Sequence, residues 1–169
     1  NVSGGVSLSH GPDGNPAIAF RTPSSRLKYA TYDGANWAIE QVDGDGNFGW
    51  YASLSHGPDG YPAISYWDNA NRDLKYAKYN GNNWVTQTLD SEGQVGRALS
   101  LDHGPTGDTA ISYVDSTNQT LKIARKKRVR LAITLHHTVT QPAIDPVADT
   151  DGDGVLDIHE TNTGIFVNA

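Results

Sequence analysis

Along most of the chain, polar and apolar residues alternate with a period of two over short stretches, each ending at a turn signal. The alternation predicts strands over residues 51–55, 63–67, 74–79 and 84–89. In the third of these, Leu74, Tyr76 and Lys78 face one way, and Lys75, Ala77 and Tyr79 the other. Gly57-Pro58-Asp59-Gly60 reads as a tight turn, because proline presets one dihedral and glycine accepts a positive one. Asn80-Gly81 is a second turn of the hairpin-forming kind. No window of about 11 residues or more keeps apolar groups at helical spacing, so very little helix is expected.

The pattern recurs. Ser9-His10-Gly11-Pro12-Asp13-Gly14 returns as Ser55-His56-Gly57-Pro58-Asp59-Gly60 and then as Asp102-His103-Gly104-Pro105-Thr106-Gly107. Leu27-Lys28-Tyr29-Ala30 returns as Leu74-Lys75-Tyr76-Ala77 and Leu121-Lys122-Ile123-Ala124, while Trp37 falls on Trp84 and then on Leu131. Four antiparallel strands repeating every 40 to 50 residues or so are the signature of propeller blades. The predicted fold class is therefore all-β: a β-propeller-like stack of four-stranded antiparallel blades, three units in this chain, plus a small calcium-binding loop. Small residues such as Ala17, Ala19, Ala63 and Ser65 let neighbouring sheets approach, and Ile18, Phe20, Ile64, Tyr66, Ile111 and Tyr113 supply the opposite face. Closed propellers need about four blades or more. Three arrangements stay open: part of a longer propeller, a ring shared by several chains (two would give six blades), or an open three-blade stack.

The third unit departs from the other two after Ala124. Where the second reads Tyr79-Asn80-Gly81-Asn82-Asn83-Trp84, the third reads Lys126-Lys127-Arg128-Val129-Arg130-Leu131, with Leu131, Ile133 and Leu135 alternating beyond it. Basic residues on an edge strand discourage pairing with another sheet, so a capping strand is expected, with a basic contact surface as the alternative. At Gln141-Pro142 the character changes again, dividing the chain into a repeat domain (1–140) and a linker with a calcium loop (141–169).

In the twelve residues from Asp149 to Glu160, acids stand at positions 1, 3, 5, 9 and 12, with Gly154 at position 6. Calcium takes hard oxygen ligands from alternate positions of such a loop. The expected cofactor is Ca2+, held by Asp149, Asp151, Asp153, the Val155 carbonyl, Asp157 (through a water) and Glu160. A solvated acidic linker is the alternative. Pro142 and Pro146 argue against the entering helix of an EF-hand.

Charge follows this division. The net charge is -6, yet residues 122–140 carry six bases and no acid, and residues 141–169 six acids and no base. The run Lys122, Arg125, Lys126, Lys127, Arg128 and Arg130 suits a solvated edge or a polyanion contact. No aromatic platform accompanies it, so a nucleic-acid partner is not expected. Cysteine is absent, which excludes disulfides, thiolate nucleophiles and zinc–thiolate sites. No apolar stretch of about 18 residues offers a membrane span. A chain starting at Asn1 fits removal of a leader, or simply a chosen boundary.

Candidate chemistry is sparse, and no catalytic residue is assigned. His10, His56 and His103 recur once per unit, which suits a blade-building role better than a shared metal site. Asp68, Asp73 and Asp115 are thinkable as a glycosidase pair but read more simply as turn caps. Trp37 and Trp84 occupy one repeat position and are expected in blade packing. Trp50 and Trp67 have no tryptophan in the other units; their equivalents are Gly4 and Arg97, and Arg21 and Val114. They are the better candidates for exposed, ligand-binding aromatics, with Asn69, Asn71 and Arg72 supplying polar contacts to a sugar.

The units, in approximate form LSxSHGPDGxPAISYxD…LKYAxYxGxNW, resemble repeats of secreted bacterial proteins with a propeller-type fold, over residues 1 to about 137. Residues 145–160 resemble the type 3 calcium repeats of thrombospondins. That resemblance implies calcium held by Asp149, Asp151, Asp153 and Asp157, in a structural role outside the cell. Asp33-Gly34-Ala35-Asn36-Trp37 is faintly similar to the aspartate box of sialidases, which implies a structural turn only. The resulting expectation is a secreted, noncatalytic structural, adhesion or carbohydrate-binding module stabilised by calcium. Its expected partners are a glycan or cell-surface ligand and further repeat units or a second copy. A fragment or subunit of a secreted carbohydrate-active enzyme is the second reading.

Overall fold

The structure is a computed structural model, and it describes residues 4–44 and 46–126. The strands are β1 (Val6–His10), β2 (Pro16–Arg21), β3 (Leu27–Tyr32), β4 (Trp37–Asp43), β5 (Trp50–His56), β6 (Pro62–Asp68), β7 (Asp73–Tyr79), β8 (Trp84–Asp90), β9 (Val95–His103), β10 (Thr109–Asp115) and β11 (Thr120–Lys126). They form an antiparallel sheet β1-β2-β3-β4, a second β5-β6-β7-β8, and a third in which β9, β10 and β11 are described. The expected all-β stack of blades is what the structure shows, with strand limits in the second unit within about one residue of those expected from alternation. No helix among the described residues is long and apolar enough to cross a membrane. The calcium loop, the basic residues from Lys127 onward and the strand expected at Leu131 lie outside the described residues.

Burial along the second strand of each blade shows how the blades stack. In β2, burial alternates and the covered residues are Ala17, Ala19 and Arg21; in β10 they are Ile111, Tyr113 and Asp115. In β6 all seven residues are buried. Among the described residues, the middle blade is therefore covered on both faces and each outer blade on one. Two cores result. Ala17, Ala19, Leu27 and Tyr29 of the first blade pack on Leu54, Ile64 and Tyr66 of the second. On its other face the second blade sets Ala63, Leu74 and Tyr76 against Val95, Leu101, Ile111 and Tyr113. Ile64 and Ala63 are neighbours in sequence yet serve opposite cores, because successive strand residues point to opposite faces.

Polar contacts repeat across both junctions at the blade spacing. The Asp43 carboxylate accepts Tyr66 Oη at 2.5 Å and Lys75 Nζ at 2.7 Å; the Asp90 carboxylate accepts Tyr113 Oη at 2.8 Å and pairs with Lys122 Nζ at 2.5 Å. One acid of each of the first two blades thus latches a tyrosine and a lysine of the next by charge-assisted hydrogen bonds. Lys122, the first base of the basic run, is spent on this latch.

A second ladder follows the inner strands. Ser7 Oγ accepts Leu54 N and Ser53 Oγ accepts Leu101 N. Ser9 Oγ meets His56 Nδ1 at 3.1 Å, and Ser55 Oγ meets His103 Nδ1 at 2.9 Å. His56 and His103 are thus inter-blade fasteners. Burial, with Lys78 nearby, lowers the pKa of both His56 and His103 below the ordinary value of 6.5. Tyr29, which reaches His56 Nε2, is pushed up to about 12, chiefly by burial.

Trp84 fills the groove between the first two blades, edge-on to Tyr29 at 5.2 Å, with Nε1 donating to Glu40. Trp37 holds the same repeat position but remains 47% exposed, so the packing role expected of it is realised only at Trp84. Among the described residues no blade precedes the first.

Candidate functional site

In each meander the second strand ends, and the third begins, at the end of the blade where the first strand starts. The loops 22–26, 69–72 and 116–119 therefore gather with residues 46–49 and 91–94 of the inter-blade connections. Backbone bonds tie the two sets together: Phe48 N donates to Ser25 O and Val95 N to Arg72 O, while Asn69 N donates to Asn47 O and Ser116 N to Gln94 O. Asp68 and Asp115 organise two of these loops. Asp68 accepts the backbone N–H groups of Ala70 and Asn71 and the Asn71 side-chain amide; Asp115 does the same for Thr117 and Asn118. These bonds hold the Asp115 pKa below the usual carboxylate range, with the Asn118 side chain the largest cause. Both aspartates are loop caps. Burial and repulsion from Asp68 and Asp90 raise the pKa of Asp73.

All five sequence-predicted ligand residues lie at this end. Trp50 opens β5 and is the Cα partner of Trp67 at the end of β6. Trp50 is half-buried beneath the Arg21 guanidinium, whose carbon stands 4.4 Å from the ring centroid. Trp67 corrects the expectation of an exposed aromatic: it is 4% exposed and lies 4.6 Å under Arg97. Its strand belongs to the blade covered on both faces, which leaves no open side for the ring. Asn69 is half-buried, and Asn71 and Arg72 are exposed. The Asn71 amide nitrogen is held by Asp68, and Arg72 takes φ 66° as its N–H donates to Asp68 O.

Arg21, Asn47, Tyr51 and Arg97 also belong to this end and were missed. At one junction the arginine comes from the earlier blade (Arg21) and the tryptophan from the later (Trp50); at the other the tryptophan comes from the earlier (Trp67) and the arginine from the later (Arg97). A guanidinium over an indole attracts it by roughly 0.5–2 kcal/mol. The exchange was visible in the repeat alignment, where Trp67 falls on Arg21 and Trp50 on Arg97. Asn47 closes the first junction, its Oδ1 accepting both Arg21 Nη2 and Trp50 Nε1 at 3.0 Å. At the second, Trp67 Nε1 and Arg97 Nε are buried without a hydrogen-bond partner.

Tyr51 is the exposed aromatic of this end. It is 45% exposed, sits on a β-bulge of β5, and takes φ 54°, with its ring 5.9 Å from that of Trp67. The positive φ recurs at Gly5 and Ala98, so the bulge is framework while the ring belongs to the second blade alone. Strained non-glycine backbone costs about 1–3 kcal/mol and tends to collect at functional positions.

Among the described residues no three His, Asp or Glu side chains gather as a metal site. The chain matches no protein-family model and no curated protein. Solved structures do resemble it. A fucose lectin from Kordia zhangzhouensis in complex with methyl-fucoside aligns with 72% of this chain and 92% of its own, at 12% identity and a TM-score of 0.47. A triple arginine-to-alanine mutant of AofleA from Arthrobotrys oligospora aligns with 73% of this chain at 19% identity and a TM-score of 0.55, and the match spans 38% of that longer chain. The second likeness is one of fold.

Proposed function

We propose that the chain is a noncatalytic, extracellular carbohydrate-binding module whose sugar site lies at the loop-bearing end of the middle blade. The observation that carries this reading is Tyr51, an exposed ring on a strained bulge, braced by Trp67. An aromatic face of this kind stacks on the apolar C–H face of a pyranose, and nearby polar groups choose among its hydroxyls. Trp50, Asn69, Asn71 and Arg72 lie at the same end of the blade, and the exposed Arg72 supplies guanidinium donors there. Adhesion to a glycan-bearing surface is the corresponding role. Beyond the blades, Asp149, Asp151, Asp153, Val155, Asp157 and Glu160 would hold Ca2+ and stiffen the segment after the repeat domain.

Calorimetry on the full chain tests both parts, with calcium added or chelated and with a panel of methyl glycosides that includes methyl-fucoside. Calcium is expected to bind at one site that chelator empties, and at least one glycoside to bind. Replacing Tyr51 with glycine suits φ 54° without strain, so folding is kept while the ring is lost. Tyr51→Gly is expected to weaken sugar binding about tenfold. A chain that binds no glycoside, or a Tyr51→Gly variant that binds as tightly as the parent, would sink the sugar reading; absence of calcium binding would sink the loop assignment.

A further inference from the structure

We infer that the two blade faces left uncovered among the described residues are complementary halves of one interface, and that a second copy of this chain docks head to tail to close a ring of six blades. The inference is independent of the sugar reading and rests on the repeat itself. The face that the second blade turns to the first is built from Ala52, Leu54, Ile64 and Tyr66. Its counterpart on the first blade, Val6, Leu8, Ile18 and Phe20, has nothing against it among the described residues. Val6 and Leu8 are each 60% exposed, and a groove runs past Ile18 and Phe20 to Trp37 and Ile39. At the other end of the stack, Leu121 and Ile123 hold the positions at which Leu27 and Tyr29, or Leu74 and Tyr76, are buried under a following blade. They are 78% and 53% exposed.

The polar positions agree with this docking and add charge complementarity. Ser7 and Ser53 accept a backbone N–H from the next blade, and Ser100 stands at the same position, ready for Leu8 N of a second copy. Ser9 and Ser55 each meet the next blade's histidine, while the third unit has Asp102 at that place. Asp102 and His10 are both exposed. Across the new junction they would form an acid–imidazole pair where the internal junctions have serine and histidine. Phe20 stands where the second and third blades carry the latch tyrosine. No phenol hydroxyl is left buried without an acceptor.

Stoichiometry follows from closure. Closed propellers hold about four to eight blades, and of the multiples of three only six lies within that range. Identical head-to-tail contacts close on themselves when the rotation per blade permits, here with two copies and two equal junctions. Each ring would carry four Arg–Trp junctions and two plain ones, because Val114 and Gly4 hold the corresponding positions at the new interface.

Sedimentation and light scattering on the 169-residue chain test this. The expected mass is twice the single-chain 18.2 kDa. Leu8→Glu and Leu121→Glu, both at exposed sites, should each halve that mass while leaving the β-sheet circular dichroism unchanged. An equimolar mixture of the two variants should regain a two-chain species at raised concentration, because one intact junction remains between them. Asp102→His should weaken the dimer, and adding His10→Asp in the same chain should restore it. A single-chain mass for the parent would overturn the proposal. So would a dimer indifferent to both glutamates, or a mass that climbs without limit as concentration rises.

Discussion

The two junctions inside the chain use the same parts to different degrees of completion. Each has an Asp–Tyr–Lys latch, a serine ladder to the inner strand, and a glycine where the next blade begins. At the loop-bearing end they part. The first is closed by Asn47, whose Oδ1 accepts from both Arg21 Nη2 and the Trp50 indole. At the second, Gln94 occupies the equivalent position and the Trp67 indole Nε1 is left buried without an acceptor. A repeat unit therefore specifies how blades stack, while single substitutions decide how tightly each seam is finished. The less finished seam adjoins the exposed ring of Tyr51.

The glycines at the seam give the largest expected effect. A methyl on Gly96 would stand 2.8 Å from Leu74 Cα, a backbone atom, at φ +93°. On Gly49 it would meet Leu27 side-chain atoms at 3.3 Å, at φ +85°. Gly96→Ala is expected to destabilise the fold by about 2–4 kcal/mol, and Gly49→Ala by about 1–2 kcal/mol, because a side chain yields where backbone does not. Urea denaturation ranks them; equal effects would show that the two seams are equally tight.

A smaller effect is expected at the clamp. Asn47→Ala strands two donors and should cost roughly 1–3 kcal/mol. Gln94→Ala removes a side chain with no hydrogen bond to its seam and should fall within about 0.5 kcal/mol of the parent. The same denaturation series decides it: a Gln94 effect as large as that of Asn47 would erase the contrast.

The smallest effect is that of pH. Burial lowers the pKa of His56 and His103 in the folded chain relative to the unfolded value of 6.5. Below that value the unfolded chain binds more protons, so stability is complete above about pH 6.5 and declines as pH falls through the lowered pKa values. Histidine NMR titrations should place both midpoints below 6.5. The loss on acidification should lessen in His56→Gln and His103→Gln. Midpoints at or above 6.5 would mean that the ladder favours charged imidazole.

Much of the architecture was legible from the chain. The strands of the second unit could be placed because alternation and turn residues act over a few positions. Gly60 and Gly107 recur with positive φ in the predicted turn, and Ser25, Arg72 and Gln119 repeat one left-handed loop position. The candidate site was legible in part. Trp50, Trp67, Asn69, Asn71 and Arg72 do share one end, yet Trp67 is enclosed and Tyr51, passed over in the sequence, is the exposed ring.

The reason lies in the range of the forces. Local sequence determined where each strand starts, which residues share a face and how the meander returns, since pleat, proline and glycine act on the nearest backbone. Only tertiary structure decided that Asp43 would hold Tyr66 and Lys75, that Ser9 would meet His56 and that Trp67 would lie beneath Arg97. Those contacts join residues 23 to 47 positions apart. A blade face acquires its character only from the blade laid against it.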